Sequence, residues 1–92
     1  MRFEWDAVKY RTNLRDHKID FSDVPPVFNG PMLVELDDRE DYGEDRWIGI
    51  GLLRNIAVVI VFTEPRHDTI RIVSVRKANK HERMRYEQTL EN

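Results

Sequence analysis

The chain has no cysteine, so it can form neither a disulfide framework nor a thiolate metal site, and this composition favours a reducing compartment. Its longest apolar run, residues 56–62, is too short to span a bilayer. Near its start, Glu4 and Asp6 stand where a secretory signal would have an apolar run. Together these absences predict a cytoplasmic protein with no membrane segment.

Sequence motifs for cofactors and metals are also missing. The chain has four glycines but no glycine-rich phosphate loop, and it contains neither an HExxH motif nor a serine nucleophile elbow. Its histidines, His17, His67 and His81, lack the paired spacing of metal ligands. The acidic segment 35–45 does not match a calcium-binding loop and is typical of solvated surface. We therefore expect no metal and no small-molecule cofactor.

The length of 92 residues limits the chain to one compact core, because such a chain buries only about 60 to 65% of its unfolded surface. Hydrophobic residues make up 40% and charged residues 35%, which is typical of a folded, soluble domain and not of a disordered tail. We expect a single domain covering residues 1–92.

Charge is unevenly distributed, although the net charge is only −2. Residues 35–45 hold seven acids against Arg39, whereas residues 66–86 hold seven lysines or arginines against Asp68 and Glu82. Clustered cations matter more than net charge for phosphate binding, since each neutralised phosphate releases counterions and the field decays over roughly 8 to 10 Å at cellular salt. The basic segment predicts a negatively charged ligand.

The N-terminal third predicts helices. Residues 3–5 form a candidate edge strand, and Asp6 is a candidate N-cap for a helix that ends at about His17. A second, shorter helix begins near Phe21, and the proline pair at 25–26 must lie in its first turn or break it.

The remainder predicts an antiparallel sheet and a closing helix. Gly49 and Gly51 share one face of a strand, where they let a helix pack closely. The fold class is therefore α+β, with N-terminal helices, an antiparallel sheet of about four strands and a C-terminal helix. The strand-like stretches are residues 32–36, 46–53, 56–62 and 69–76.

Turn and capping residues separate these elements. Residues 29–31 (Asn-Gly-Pro) and residues 65–68 predict turns, and Arg54-Asn55 is short enough for a tight hairpin. Asn79 and Glu82 have capping-box spacing, so the last helix begins at Asn79.

The end of the last strand carries residues suited to phosphate chemistry. Cleaving RNA without a metal requires a base, an acid and cations that stabilise charge on the phosphoryl oxygens. Arginine suits the last role because its planar fork holds two oxygens and stays charged. Arg76, next to Lys77 and near Lys80, is the preferred candidate, whereas Arg71 points to the opposite face unless a bulge re-aims it.

Other polar residues have two readings. Arg11, Arg15 and Lys18 make a cationic stripe on the first helix, which either extends a phosphate track or is a solvated face. His17 either transfers protons or packs at the helix end. Arg46 and Arg66 stand where exposed arginines are ordinary, so neither indicates a function by itself. Glu82 and Tyr86 are interpreted as structural residues, the first as a capping partner and the second as a packed ring.

Over nearly its whole length the chain also resembles the BrnT family of toxins of type II toxin–antitoxin systems. The family usually lacks a proline at the position of Pro65, and it commonly has Lys-His-Gly where this chain has Asp16-His17-Lys18. The matching residues are Phe3-Glu4-Trp5-Asp6, Lys9, Asn13, His17, Phe21, Val27-Phe28, Pro31, Glu44, Arg46, Gly49, Phe62-Thr63-Glu64, Asp68-Thr69-Ile70-Arg71-Ile72-Val73-Ser74-Val75-Arg76-Lys77-Ala78, Glu82-Arg83 and Tyr86.

The resemblance implies a RelE-like fold and a metal-independent ribonuclease that arrests translation and growth. It also implies a BrnA antitoxin partner that covers the toxin and represses the shared operon. It places Arg46, Arg76 and Lys77 in or near the catalytic surface, and we add His17 as a proton-transfer candidate. The candidate RNA-binding residues are Lys18, Arg66, Arg71, Lys80 and Arg83. The alternative is a non-catalytic module that binds nucleic acid or protein through the same basic face.

Overall fold

The computed structural model describes residues 1–91, which form a mixed five-stranded sheet and two α-helices. Two short 3-10 helices, Phe21–Asp23 and Pro25–Asn29, connect the first helix to the second strand. The other elements are β1 (Arg2–Trp5), α1 (Ala7–His17), β2 (Leu33–Leu36), β3 (Trp47–Leu53), β4 (Ile56–Arg66), β5 (Thr69–Lys77) and α2 (Lys80–Glu91).

Local signals determine where α1 begins and ends. The Asp6 side chain accepts a hydrogen bond from the Lys9 backbone N–H at 3.0 Å, as an N-cap does. Lys18 has left-handed backbone geometry (φ 60°) and closes the helix through its N–H to the Leu14 carbonyl. The predicted helix from Asp6 to about His17 is confirmed. Neither α-helix within residues 1–91 is long and apolar enough to cross a membrane.

The proline pair at 25–26 replaces the predicted second helix with two 3-10 turns. Asp20 accepts from Ser22 N at 2.8 Å and starts the first turn, and Pro25 stands at the beginning of the second. A proline ring clashes with the preceding turn of an α-helix, so a continuous helix cannot form across it.

The sheet order is β1-β5-β4-β3-β2, with β1 parallel to β5 and every other pairing antiparallel. The prediction of about four antiparallel strands is corrected to five strands in a mixed sheet. Alternating side chains indicate that a strand forms but not which strand it joins, and β1 pairs with a strand from the other end of the chain.

Two tight turns connect the last three strands. Arg54 and Asn55 have positive φ values of 49° and 68°, which produce the predicted two-residue hairpin. The turn predicted for residues 65–68 was placed too early, because β4 continues through Pro65 and the chain reverses at His67 and Asp68. The strand tolerates Pro65 because the β4–β5 register is irregular between Thr63 and Arg66.

The sheet buries two unequal faces. We call one the aromatic face, since Phe21 and Phe28 of the 3-10 helices pack there with Phe62 of β4. A methyl group at Gly51 would lie 2.6 Å from Val27 Cγ1, so the glycine admits the second 3-10 helix, and the predicted close approach is confirmed for that helix. We call the other the α2 face, whose buried cluster is Ile50, Ala57, Val59, Ala78 and Tyr86.

Candidate functional site

Arg76 lies on the α2 face at the rim where α2 begins, because it pairs across the sheet with Val59 of the α2-face cluster. Its guanidinium donates to both carboxylate oxygens of Glu82, each at 2.8 Å. Glu82 also accepts from Asn79 N at 2.9 Å, and its own N–H donates to Asn79 Oδ1, which completes the predicted capping box. The α2 cap therefore holds Arg76 in one orientation.

Glu82 stays ionised over a wide pH range. The Arg76 guanidinium lowers the pKa of Glu82 to about 2, and the Asn79 N–H adds to the effect. The Glu82 carboxylate in turn raises the pKa of Arg76. An incoming phosphate must therefore share Arg76 with Glu82 or displace it.

The other cations near the strand end point elsewhere. Lys77 pairs with Val58 of the aromatic-face cluster, so adjacent Arg76 and Lys77 project from opposite faces. Lys80 is exposed at the start of α2. Arg83 is also exposed and donates to the Ala78 carbonyl at 3.1 Å.

Arg71 shares the α2 face with Arg76 because of a β-bulge. Phe62 pairs with Ile72 whereas Val61 pairs with Ser74, so Val73 is an extra residue in β5. One extra residue shifts the alternation by one position, which brings Arg71 and Arg76 to the same face despite their spacing of five. The bulge that sequence analysis left open is present.

Glu4 on β1 binds two of the candidate cations. Arg71 Nε donates to Glu4 Oε2 at 2.8 Å, and Arg66 donates to Glu4 Oε1. The hydrogen bond from Arg71, with Arg66 close by, lowers the pKa of Glu4. The direction of Arg66 is thereby established: it reaches across β5 to β1.

Arg46 is positioned by the loop between β2 and β3. Its guanidinium carbon lies 3.9 Å from the ring centroid of Tyr42, a cation–π contact. Tyr42 in turn donates to Asp37 Oδ2 at 3.3 Å, and the Arg46 carbonyl accepts from Asp37 N. Arg46 precedes Ile48 by two residues, and Ile48 packs on the α2-face cluster, so Arg46 lies on the α2 face as well.

Thr63 is a site residue that sequence analysis missed. It pairs with Arg71 and stands two positions beyond Val61, so it also lies on the α2 face. Its side chain is 1% exposed, and its hydroxyl has no hydrogen-bond partner among the described residues. Thr63 is among the residues that match the BrnT family, but a threonine in a strand is ordinary, and only the register places it on the α2 face.

A groove of about 280 Å³ beside Arg76 contains two further arginines that sequence analysis did not select. Arg39 donates to both oxygens of Asp37 at 2.7 and 2.8 Å, and Arg85 pairs with Glu35. Asp37 has no exposed side-chain surface, and the Arg39 guanidinium lowers its pKa to about 2. In the sequence, the one feature that distinguished Arg39 was its position as the single base within the acidic segment 35–45.

His17 and Lys18 lie at the edge of β5 and not on the α2 face. The hollow that His17 lines also contains Asn13 and Ser74 but neither Arg76 nor Arg46. Lys18 donates to the Arg15 carbonyl at 3.0 Å. The predicted catalytic residues are therefore divided, with Arg46 and Arg76 on one face and His17 and Lys77 elsewhere.

Asn13 fastens α1 to that edge. It is 4% exposed, its Oδ1 accepts from Val75 N at 2.9 Å, and its Nδ2 donates to the Ile19 carbonyl at 3.2 Å. The side chain continues the β5 ladder where β1 has ended, immediately before Arg76. Among residues 1–91, no three His, Asp or Glu side chains are grouped so that they could hold a metal ion.

The chain was compared with protein families, solved structures and curated protein sequences. The model of the family described as "Ribonuclease toxin, BrnT, of type II toxin-antitoxin system" matches residues 5–82. The crystal structure of the Brucella abortus ribonuclease toxin BrnT superposes with a TM-score of 0.69 at 24% sequence identity, covering 87% of this chain and 99% of that one. No curated protein sequence matches.

Proposed function

The chain belongs to the BrnT family of ribonuclease toxins of type II toxin–antitoxin systems, and we propose that it is a metal-independent endoribonuclease acting at the α2 face. The observation that carries this proposal is the convergence of Arg46, Arg71 and Arg76 on one face of the sheet, through a bulge that re-aims β5. The RelE-like character of the fold and a cytoplasmic location belong to the same proposal.

The α2 face offers cations in the form that phosphoryl chemistry needs. Arg71 and Arg76 are partly exposed, with 41% and 43% of their side-chain surfaces accessible. A phosphate presents paired oxygens as a carboxylate does, so it can take the place of Glu4 or Glu82 against an arginine fork. In the proposed reaction, Arg76 stabilises the negative charge that builds on the phosphoryl oxygens, and Arg46 supports catalysis from the same face by holding the RNA backbone.

Proton transfer is assigned to His17 and Lys77. His17 lies at the edge of β5, and Lys77 is the last residue of β5, next to Arg76. The proposed scissile phosphate therefore binds at this rim of the sheet, where side chains from both faces reach it. One group removes the proton of the 2′-hydroxyl, whose oxygen attacks phosphorus; the 5′-oxygen leaves with a proton, and a 2′,3′-cyclic phosphate remains.

Binding of the flanking RNA is assigned to cations around this centre. They are exposed or partly exposed, and they extend from the α1 edge to the first turns of α2. Each phosphate that they neutralise adds a salt-dependent contribution to affinity. These residues are Lys18, Arg66, Arg71, Lys80 and Arg83.

A type II system implies a protein antitoxin. We assign this role to a BrnA-type protein that covers the toxin and represses the shared operon. The toxin then arrests translation and growth when the antitoxin is lost.

One observation favours a second function, a non-catalytic module that binds nucleic acid or protein through the same face. The three arginines that converge on the α2 face already have partners: Arg76 binds Glu82, Arg71 binds Glu4, and Arg46 stacks on Tyr42. Such pairing also serves a surface that only docks a partner. Turnover of RNA separates the two functions.

The test is incubation of purified, antitoxin-free protein with single-stranded RNA in the presence of a chelator. Cleavage that leaves cyclic-phosphate or 3′-phosphate ends is expected. Cleavage that requires a divalent metal, or no cleavage by protein shown to be folded, would contradict the proposal; binding without cleavage would favour the non-catalytic module.

A further inference from the structure

Two buried polar atoms of the described residues have no hydrogen-bond partner, and they are Arg46 Nε and Thr63 Oγ1. Leaving a buried donor unsatisfied costs stability, so such atoms are rare and call for an explanation. In this chain both belong to the α2 face, and neither atom makes a hydrogen bond within the described residues.

The strand register makes these two residues neighbours. Trp47, the first residue of β3, pairs with Phe62, and continuing that register by one position brings Arg46 level with Thr63. Side chains that are opposite in an antiparallel pair have Cβ atoms roughly 4.5 to 5.5 Å apart. Arg46 and Thr63 are therefore neighbours, and each carries a buried polar atom without a partner among the described residues.

Arg71 completes a row across three strands, since it pairs with Thr63 from the other side. Its guanidinium is bound to Glu4, which presents two carboxylate oxygens to Arg71 and Arg66. Arg71 can exchange that carboxylate for a phosphate without losing its geometry, because both groups fit an arginine fork. The row then has two cations flanking one hydroxyl.

We propose that Arg46, Thr63 and Arg71 form a binding subsite for one phosphate of the RNA backbone. A single phosphoryl oxygen accepts from Arg46 Nε and Thr63 Oγ1, while Arg71 leaves Glu4 and binds the same phosphate. The subsite rests on the proposed function, and it is separate from Arg76, which lies at the other end of the α2 face beside α2. Thr63 is thus a substrate-binding residue of the toxin.

Two substitutions at Thr63 separate binding from folding. Thr63→Val keeps the shape and removes the hydroxyl; because that hydroxyl has no partner in the free protein, the melting temperature should stay level or rise. Thr63→Ser keeps the hydroxyl and removes a buried methyl group, so the melting temperature should fall. A role in folding alone predicts that Thr63→Ser is the more damaged variant in every assay.

The probe is a short 2′-O-methylated RNA, which binds but lacks the 2′-hydroxyl needed for cleavage. Relative to wild type, Thr63→Val should bind roughly tenfold more weakly, while Thr63→Ser and the exposed control Thr89→Val should stay within about twofold. The cleavage KM of unmodified RNA should rise in Thr63→Val with little change in kcat.

The outcomes distinguish the subsite from the function on which it rests. Wild-type cleavage together with equal RNA affinity of Thr63→Val and wild type would overturn the subsite and leave the ribonuclease proposal intact. Weaker binding by Thr63→Ser than by Thr63→Val would also overturn the subsite. A wild-type protein that neither binds nor cleaves RNA would overturn both proposals.

Discussion

The two faces of the sheet differ in what covers them. The aromatic face is closed: Trp5, Tyr10 and Phe21 pack against one another with ring centroids 5.8 to 6.3 Å apart, and Phe21 has no exposed surface. The α2 face is closed only at one end, where Tyr86 packs, and towards the other end Val61 and Ser74 remain partly exposed.

This difference separates stability from chemistry. Aromatic rings on one face supply the large buried area that a short chain needs. The opposite face can then keep Arg71 and Arg76 near the surface, each held by one carboxylate that a phosphate can replace. Substitutions on the two faces should accordingly fail in different assays.

The largest expected change in stability is on the aromatic face. Phe21→Ala should lower the free energy of unfolding by about 3 to 5 kcal/mol, because it leaves a cavity among Trp5, Tyr10 and the sheet. Denaturant unfolding measures this, with the exposed Met84→Ala on α2 as a control expected within about 0.5 kcal/mol of wild type. Equal losses for Phe21→Ala and Met84→Ala would remove the distinction between the faces.

A smaller loss is expected where α1 meets the sheet edge. Asn13→Leu should cost roughly 2 to 4 kcal/mol, since Val75 N–H and the Ile19 carbonyl both lose a buried partner. Slowed hydrogen exchange of the Val75 amide should be lost in this variant. Asn13→Asp keeps an acceptor for the Val75 N–H, so it should retain more of the exchange protection than Asn13→Leu. Greater protection in Asn13→Leu would contradict the role of Asn13 as the hydrogen-bond partner of β5 at this edge.

The smallest effect concerns the carboxylate that holds Arg76. The folded pKa of Glu82, about 2, is below its ordinary value of 4.5, so its stabilisation is present above pH 4.5 and is lost as the pH falls towards 2. Glu82→Gln should be roughly 1.5 to 3 kcal/mol less stable than wild type near neutral pH, and this gap should close in acid. Asp37 titrates in both proteins, so the difference between them isolates Glu82. A gap that is independent of pH would show that the charge of Glu82 does not stabilise the fold.

The features that were predicted correctly are those whose signal is local in the sequence. The N-cap of Asp6, the hairpin at Arg54-Asn55 and the capping box of Asn79 with Glu82 each depend on residues within four positions. These contacts form inside one element or turn, so they can be predicted without knowing which strands pair with one another.

The features that were missed or left open depend on pairing between segments that are distant in the chain. The parallel partner of β1 and the extension of β4 through Pro65 were missed, and the bulge at Val73 was left open, because all three depend on register between strands. Register also determines that Arg71 joins Arg76 and that Thr63 stands between Arg46 and Arg71. A one-residue shift reverses the face of every side chain that follows, so the site could be proposed only in part.

The central claim is that the α2 face cleaves RNA, and its most direct test is the cleavage rate of Arg76→Ala in chelator. The matched control is Arg11→Ala, which removes an exposed arginine from α1. We expect Arg76→Ala to lose roughly 10² to 10³ in kcat, as for loss of one group that stabilises transition-state charge, with a retained far-ultraviolet circular dichroism spectrum. Arg11→Ala should cleave at the wild-type rate. A folded Arg76→Ala protein that cleaves as fast as Arg11→Ala would contradict the account.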